Sequence, residues 1–186
     1  MTDTPTSPRA SVQDLLRRAD KEGFAVPAFN YSDIWDFLAI VEAAEAERAP
    51  VFLSSNQRVV TDIGTELCGA FGEAAMQKAS VPLIHHLDHC SKVELCCSAV
   101  DNNYPSVMID ASMHSLDVNI RTVKRVVTYA HAHGAAVEGE IGRIKGAGIE
   151  GEFTGDDFLA GVDEVLRFVA ETDVDSLAVG IGTAHG

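Results

Sequence analysis

Between Val81 and Cys90 the chain reads VPLIHHLDHC, an apolar run that turns within five positions into His85, His86, Asp88 and His89. Imidazoles beside a carboxylate at a strand end can ligate a divalent metal and move a proton. His185 is a second imidazole that could share a metal with His89. A catalytic zinc usually takes three protein ligands and keeps one position open, so this pair is a partial set. Either histidine, taken alone, is equally an ordinary one. Asp88 strengthens the metal reading. Strand alternation turns adjacent side chains apart, so His89 can hold a metal while Asp88 addresses substrate. The plainer alternative for Asp88 is a turn or N-cap aspartate.

Asp110 offers a second-shell or alternate metal contact, or else an Asx turn at its strand end. Glu138 and Glu140 share one strand face, since side chains repeat every two residues. Two inward carboxylates are costly unless a cation, metal or donor meets them. Arg143 or Lys145 is the expected partner of Glu138. Glu140, nearer the rim, contacts a metal or finds similar pairing. By alternation His86 and Asp88 share a face, and His85 packs under a helix layer on the other. His131 and His133 read as helix-end cations. The letters MIDAS at 108–112 lack the later serine of the adhesion motif, because His114 stands there. Gly180 and Gly182 make only half a dinucleotide fingerprint.

Such groups need a frame that gathers several strand ends. Short apolar runs supply it: FAVPAFN, PVFLSS, VPLIHHLDH, SVMIDAS, AAVEGEIG and SLAVGIG read as strands. Helical segments alternate with them. The first, from Ser11 to Gly23, takes Ser11 as N-cap. The second is capped by Ser32, and Thr61 to Ala79 is largely helical. Further helices run from Ser91 to about Asp101, from Leu116 to Gly134 and from Asp156 to Thr172. This alternation predicts parallel strands joined by right-handed crossovers.

A doubly wound sheet would concentrate its ligand groups at one switch point, usually with a Gly-rich turn after strand one. Here strand one runs into AFNYSD, and the polar groups sit at the ends of several strands. That favours a (β/α)8 TIM barrel, whose sites form at the C-terminal strand ends. Such barrels have eight strands and about 250 residues. Six βα units are legible, so strands seven and eight are expected to be absent. Residues 1–10 are expected to form a disordered lead-in, and 11–186 the barrel domain.

The 186 residues carry 14 Lys+Arg against 28 Asp+Glu, a formal net charge of -14. A chain this acidic repels nucleic acid and anionic membrane surfaces, so neither is an expected partner. No apolar run reaches the roughly 18–20 residues of a membrane span. MTDTPTSPRA lacks the apolar core of a secretion signal. The four cysteines form no CxxC pair, which fits reduced thiols in a cytoplasm.

HLDH at 86–89, SVMIDAS at 106–112, VEGEIGRI at 137–144 and DSLAVGIGTAHG at 175–186 form an ordered series. AVPAFN at 25–30 and APVFLSS at 49–55 precede it. The series, from Ser11 to Gly186, resembles class II, zinc-dependent ketose-bisphosphate aldolases of the fructose- and tagatose-bisphosphate type. The resemblance implies reversible cleavage of a ketose bisphosphate to dihydroxyacetone phosphate and an aldehyde phosphate. It makes Asp88 the acid/base at the substrate C4 hydroxyl. It makes His89 and His185 two of three zinc ligands. Asp110 and Glu140 match positions for a second divalent or a monovalent cation, or an alternate zinc location. Gly186 matches a backbone contact to dihydroxyacetone phosphate, and Asn30 a substrate-site asparagine. Asn56 falls where the family usually has a serine near the aldehyde-side phosphate.

The family's third zinc histidine and its phosphate-binding residues follow strands seven and eight, beyond Gly186. Its acidic loop after strand five is matched here by KGAGIEGEFTGDD, where Glu150 and Glu152 are candidate bases or plain solvated carboxylates. A phosphorylated sugar and copies of the same chain are the expected partners. One rival reading is a family member that binds metal or a partner without catalysis. Another is a related lyase acting on a different phosphorylated keto sugar.

Overall fold

The computed structural model describes residues 8–142 and 159–182. Six strands form one parallel sheet in sequence order: β1 Ala28–Asn30, β2 Val51–Asn56, β3 Leu83–Cys90, β4 Ser106–Ile109, β5 Ala136–Ile141 and β6 Ser176–Val179. Helices α2 Ile34–Glu47, α3 Gln57–Ile63, α4 Thr65–Lys78, α5 Val93–Asp101, α6 Leu116–Ala132 and α7 Val162–Thr172 connect them. Asn30 of β1 and Ser176 of β6 line one cavity with Ser54, His86, Asp88 and Glu138. Terminal strands that meet across a shared hollow mean that the sheet is curled into a half-barrel. Among the described residues β1 and β6 remain its edges.

Outside the curl, Leu53, Leu87, Val107, Ile109 and Val137 are fully buried beneath Val123, Ala130 and Phe168 of the helices. Alternation along each strand separates this apolar shell from the polar interior. At the N-terminal strand ends the interior is stoppered by α1 (Pro8–Glu22). Its Val12 and Leu15 pack on Ile84 and Ala136. The Gln13 side chain donates to Asp175 Oδ1, while Asp175 Oδ2 lies 2.9 Å from His131 Nε2 and accepts from the Val137 N–H at 2.8 Å. His131 thus ties the end of α6 to the approach to β6. His133 Nδ1 lies 2.8 Å from the Tyr129 carbonyl, and its ring stacks on Tyr129.

Three helix boundaries differ from the sequence expectation. Helix α1 begins at Pro8, so Ser11 lies inside it and is not its N-cap. The cap of α2 is Asp33 rather than Ser32: its Oδ1 accepts from the N–H groups of Trp35 (2.8 Å) and Asp36 (3.0 Å). The helical stretch expected over 61–79 is broken at Gly64, whose φ of 97° ends α3 and admits α4 at a new angle. The expected start of the last helix, at Asp156, lies outside the described residues. None of the described helices is long and apolar enough to cross a membrane.

Candidate active site

The site begins with an irregularity in β3. Leu87 stands opposite Val107 of β4, but Cys90 stands opposite Ile109. Asp88 and His89 therefore oppose a single residue, Met108, in a β-bulge. His89 takes φ of 43°, a left-handed conformation that strains a non-glycine residue by about 1–3 kcal/mol. The bulge corrects the expectation that alternation parts these neighbours. The two side chains are gathered on one side, with His89 Nε2 3.9 Å from Asp88 Oδ1. The other ring nitrogen, Nδ1, lies 3.3 Å from Asp110 Oδ2 and 3.6 Å from Glu140 Oε2.

Asp110 directly follows β4. Its N–H donates to the Cys90 carbonyl at 2.8 Å, and its Oδ1 accepts from the Ser112 N–H at 3.0 Å. One carboxylate oxygen thus makes the Asx turn while the other faces His89. Glu140, on β5, is buried. Its Oε1 accepts from Ser112 Oγ at 3.2 Å, and its carbonyl accepts from Asn119 Nδ2 of α6 at 2.8 Å. Ser112 is the last letter of the SVMIDAS run, with nothing in the sequence to tie it to Glu140. The sequence signal for Asn119 is a polar residue beside Ile120 and Val123 on the buried face of α6.

Ligand atoms of His89, Asp110 and Glu140 lie within 4.8 Å of one another. One imidazole and two carboxylates suit a divalent cation, and a borderline ion such as zinc accepts both donor types. The electrostatics agree. The hydrogen bond to Asp110 raises the His89 imidazole against the opposing effect of burial, and with Asp88 and Glu140 adding their charge it reaches about 9. Burial would lift the Asp110 carboxyl, but the hydrogen bonds from His89 and Ser112 outweigh it and hold it below the ordinary range. The pocket favours positive charge at its centre.

Asp88 stands beside this cluster. Its Oδ2 accepts from Asn30 Nδ2 at 2.8 Å, across β2. Below it, inside the curl, His86 Nδ1 lies 2.8 Å from Ser106 Oγ, and Nε2 lies 3.7 Å from Glu138 Oε2. Burial drives His86 down to about 4. Burial, with the nearby Asp88 charge, lifts Glu138 to about 7. Glu138 is thus met by His86 and Ser176, while the expected partners Arg143 and Lys145 lie outside the described residues. His85 faces the helices, as expected, with its Nε2 3.0 Å from Tyr31 Oη.

Asn56 pairs in register with Asp88, and its side-chain oxygen caps α3 by accepting from the Val59 N–H at 3.1 Å. His185, Gly186, Glu150 and Glu152 lie outside the described residues. A separate hollow of about 450 Å³ opens at the N-terminal strand ends, lined by Ile84, Pro105 and Ala135 among others. None of the candidate site residues lines it.

Comparison with known proteins adds an independent line. The family model "Fructose-bisphosphate aldolase class-II" matches residues 10–186. A 6-phospho-5-dehydro-2-deoxy-D-gluconate aldolase of Bacillus velezensis is 38% identical over 179 residues, covering 95% of this chain and 61% of that protein. A fructose-bisphosphate aldolase of Thermus caldophilus is 40% identical over 176 residues, covering 93% and 57%. The crystal structure of the YdjI aldolase from Escherichia coli K12 superposes with a TM-score of 0.82 at 29% identity, covering 94% of this chain and 62% of that one. The chain spans about three-fifths of the length of the curated relatives it matches.

Proposed function

The chain belongs to the class II fructose-bisphosphate aldolase family, and we propose that its strand-end cluster serves a zinc-dependent retro-aldol cleavage of a phosphorylated keto sugar. The observation that carries this reading is the set of three donors within 4.8 Å, with Asp88 beside it. His89, Asp110 and Glu140 would hold the metal, with His185 as a further ligand. Zinc, when bound, supplies Lewis-acid stabilisation of the charge that cleavage leaves on the three-carbon fragment.

The chain's own residues do the rest. Asp88 is only partly buried and within reach of a substrate. Asn30 occupies Oδ2, which leaves Oδ1 to take the proton of the hydroxyl next to the breaking C–C bond. In condensation the same oxygen returns that proton. Ser112 and Asn119 hold Glu140 in place through its carboxylate and its backbone. Gly186 would bind the three-carbon fragment through its backbone, and Asn56 would stand near the aldehyde-side phosphate. The protein would act as a homo-oligomer in the cytoplasm.

Two substrate types fit. A fructose or tagatose bisphosphate yields dihydroxyacetone phosphate and an aldehyde phosphate. The substrate in the Bacillus relative's name, 6-phospho-5-dehydro-2-deoxy-D-gluconate, yields dihydroxyacetone phosphate and an aldehyde that carries a carboxylate. The reacting half is common to both, and only the far end differs. Assay of the full chain on each sugar, with and without a chelator, tests the reading. Cleavage of at least one, abolished by the chelator and restored by zinc, is the expected result. Cleavage that survives complete metal removal refutes it.

A further inference from the structure

We propose that Tyr31 and His85 are positioning residues that act on Asp88 through Asn30. The proposal rests on the reading of Asp88 as the proton-transferring group. Strand β1 is only 3 residues long and exposed throughout, and its one ladder partner among the described residues is β2. A strand so short fixes its own end poorly. Yet Asn30, its last residue, must present an amide to Asp88 on β3, with β2 between them.

Asn30 and Tyr31 point to opposite faces of the sheet, and each side chain bridges β2. Inside, Asn30 Nδ2 donates to Asp88 Oδ2 at 2.8 Å. Outside, Tyr31 Oη meets His85 Nε2 at 3.0 Å. The inner bond is exposed, and such a bond contributes only about 0.5–1.5 kcal/mol net. The outer one is sealed, with Tyr31 3% and His85 0% exposed.

The sealed side leaves no freedom. The His85 ring lies 3.9 Å, centroid to centroid, from that of Tyr104, and Tyr31 meets Phe37 edge-on at 5.2 Å. On the α4 side Gly72 lies so close that a Cβ there would stand 2.1 Å from His85 Nδ1. Ser55 Oγ, 3.0 Å from Tyr104 Oη, extends the network along β2. With Tyr31 fixed in this way, the preceding peptide and the direction of the Asn30 side chain are fixed as well.

His85 Nδ1 has no hydrogen-bond partner. A buried polar atom left alone costs about 1–3 kcal/mol. Leu or Phe would fill the space without that penalty, so the value of an imidazole here lies in Nε2 and its bond to Tyr31. The arrangement that strands no N–H has Nε2–H donating to the Tyr31 oxygen. Burial pushes His85 down to about 3, which keeps the ring neutral and the contact unchanged across the physiological range.

The test is Tyr31→Phe in the zinc-loaded full chain. Cleavage kcat is expected to fall about tenfold, since small misplacements of a reacting group act on this scale. KM and bound zinc should stay within about twofold by the same logic. Exchange of solvent deuterium into dihydroxyacetone phosphate, which does not need the Asp88 proton transfer, should persist. In an Asn30→Ala background Tyr31→Phe should cost nothing further. His85→Gln, which keeps a donor near Nε2, should retain most activity, whereas His85→Leu should match Tyr31→Phe. Losses that add, or cleavage and exchange falling together, would overturn the proposal. A crystal structure of the Tyr31→Phe chain decides independently of turnover: an intact Asn30–Asp88 contact overturns it, and a lost one supports it. Should the unaltered chain cleave none of the sugars, the activity reading fails while this structural comparison still stands.

Discussion

Asp88 is held at one oxygen and open at the other, a condition that suits a group whose task is to take and return a proton. Asp88→Ala is expected to lower turnover by about 10²–10⁴-fold. Metal content should be unchanged, because His89, Asp110 and Glu140 remain. Paired kinetics and metal analysis check both halves. His85 sets a pH dependence of another kind. Its imidazole titrates at about 3 when folded and at the ordinary 6.5 when unfolded. Between those values the unfolded chain binds the extra proton, so stability drops as pH falls from 6.5 towards 3. At pH 5 the loss is about 2 kcal/mol, at about 1.36 kcal/mol per pH unit. Denaturant unfolding of His85→Gln at pH 7 and pH 5 should show a difference smaller by about that amount. Residue types and their order made Asp88, His89, Asp110 and Glu140 legible in the sequence. The direction of His89 was not, because a histidine carries no mark of a left-handed backbone. Glu138 is expected to need a cation, metal or donor; inside the curl a neutral imidazole, His86, and the Ser176 hydroxyl meet it, while Arg143 and Lys145 lie outside the described residues.

At the scale of elements, close approach decides where helices sit. Gly69 of α4 meets the turn after α5 so tightly that a Cβ would stand 1.9 Å from the Asn102 carbonyl oxygen, and Gly72 of the same helix abuts His85. The obstacle at Gly69 is backbone and cannot rotate away. Gly69→Ala should therefore destabilise by about 1–3 kcal/mol or more, with α4 displaced. A fall in melting temperature of about 2–4 °C per kcal/mol reads this out. Strands were legible from their apolar runs. Helix ends were less so. Ser32 and Asp33 are equally good capping types, and only the extended backbone at Asp33 selects between them. Gly64 lies between two stretches that each keep helical periodicity, so nothing in the pattern announces the break.

For the whole molecule, the candidate ligands arrive from the ends of β3, β4 and β5, so an ion bound there would tie together three strands of the sheet. A ligand bound to the folded state alone stabilises it by about 2.7 kcal/mol at a hundredfold excess over Kd. Chelation should therefore lower the melting temperature, and Asp110→Ala should remove most of that dependence. Curvature was predicted from the scatter of polar groups over several strand ends, and the shared hollow between β1 and β6 agrees. Full closure was not legible, since it depends on strands that six βα units do not contain.

The stopper helix carries a consequence for biosynthesis. Gln13 reaches a partner 162 positions later in the chain. At roughly 5–20 residues per second of translation, α1 emerges about 10–30 s before its seat is complete. Until Ile84 and then Ala136 have been made, its Val12 and Leu15 stripe lacks the residues it packs on. Nascent chains arrested before Ala136 should yield to protease within α1, and chains released after Val179 should resist. The ribosome makes first what the fold seats last.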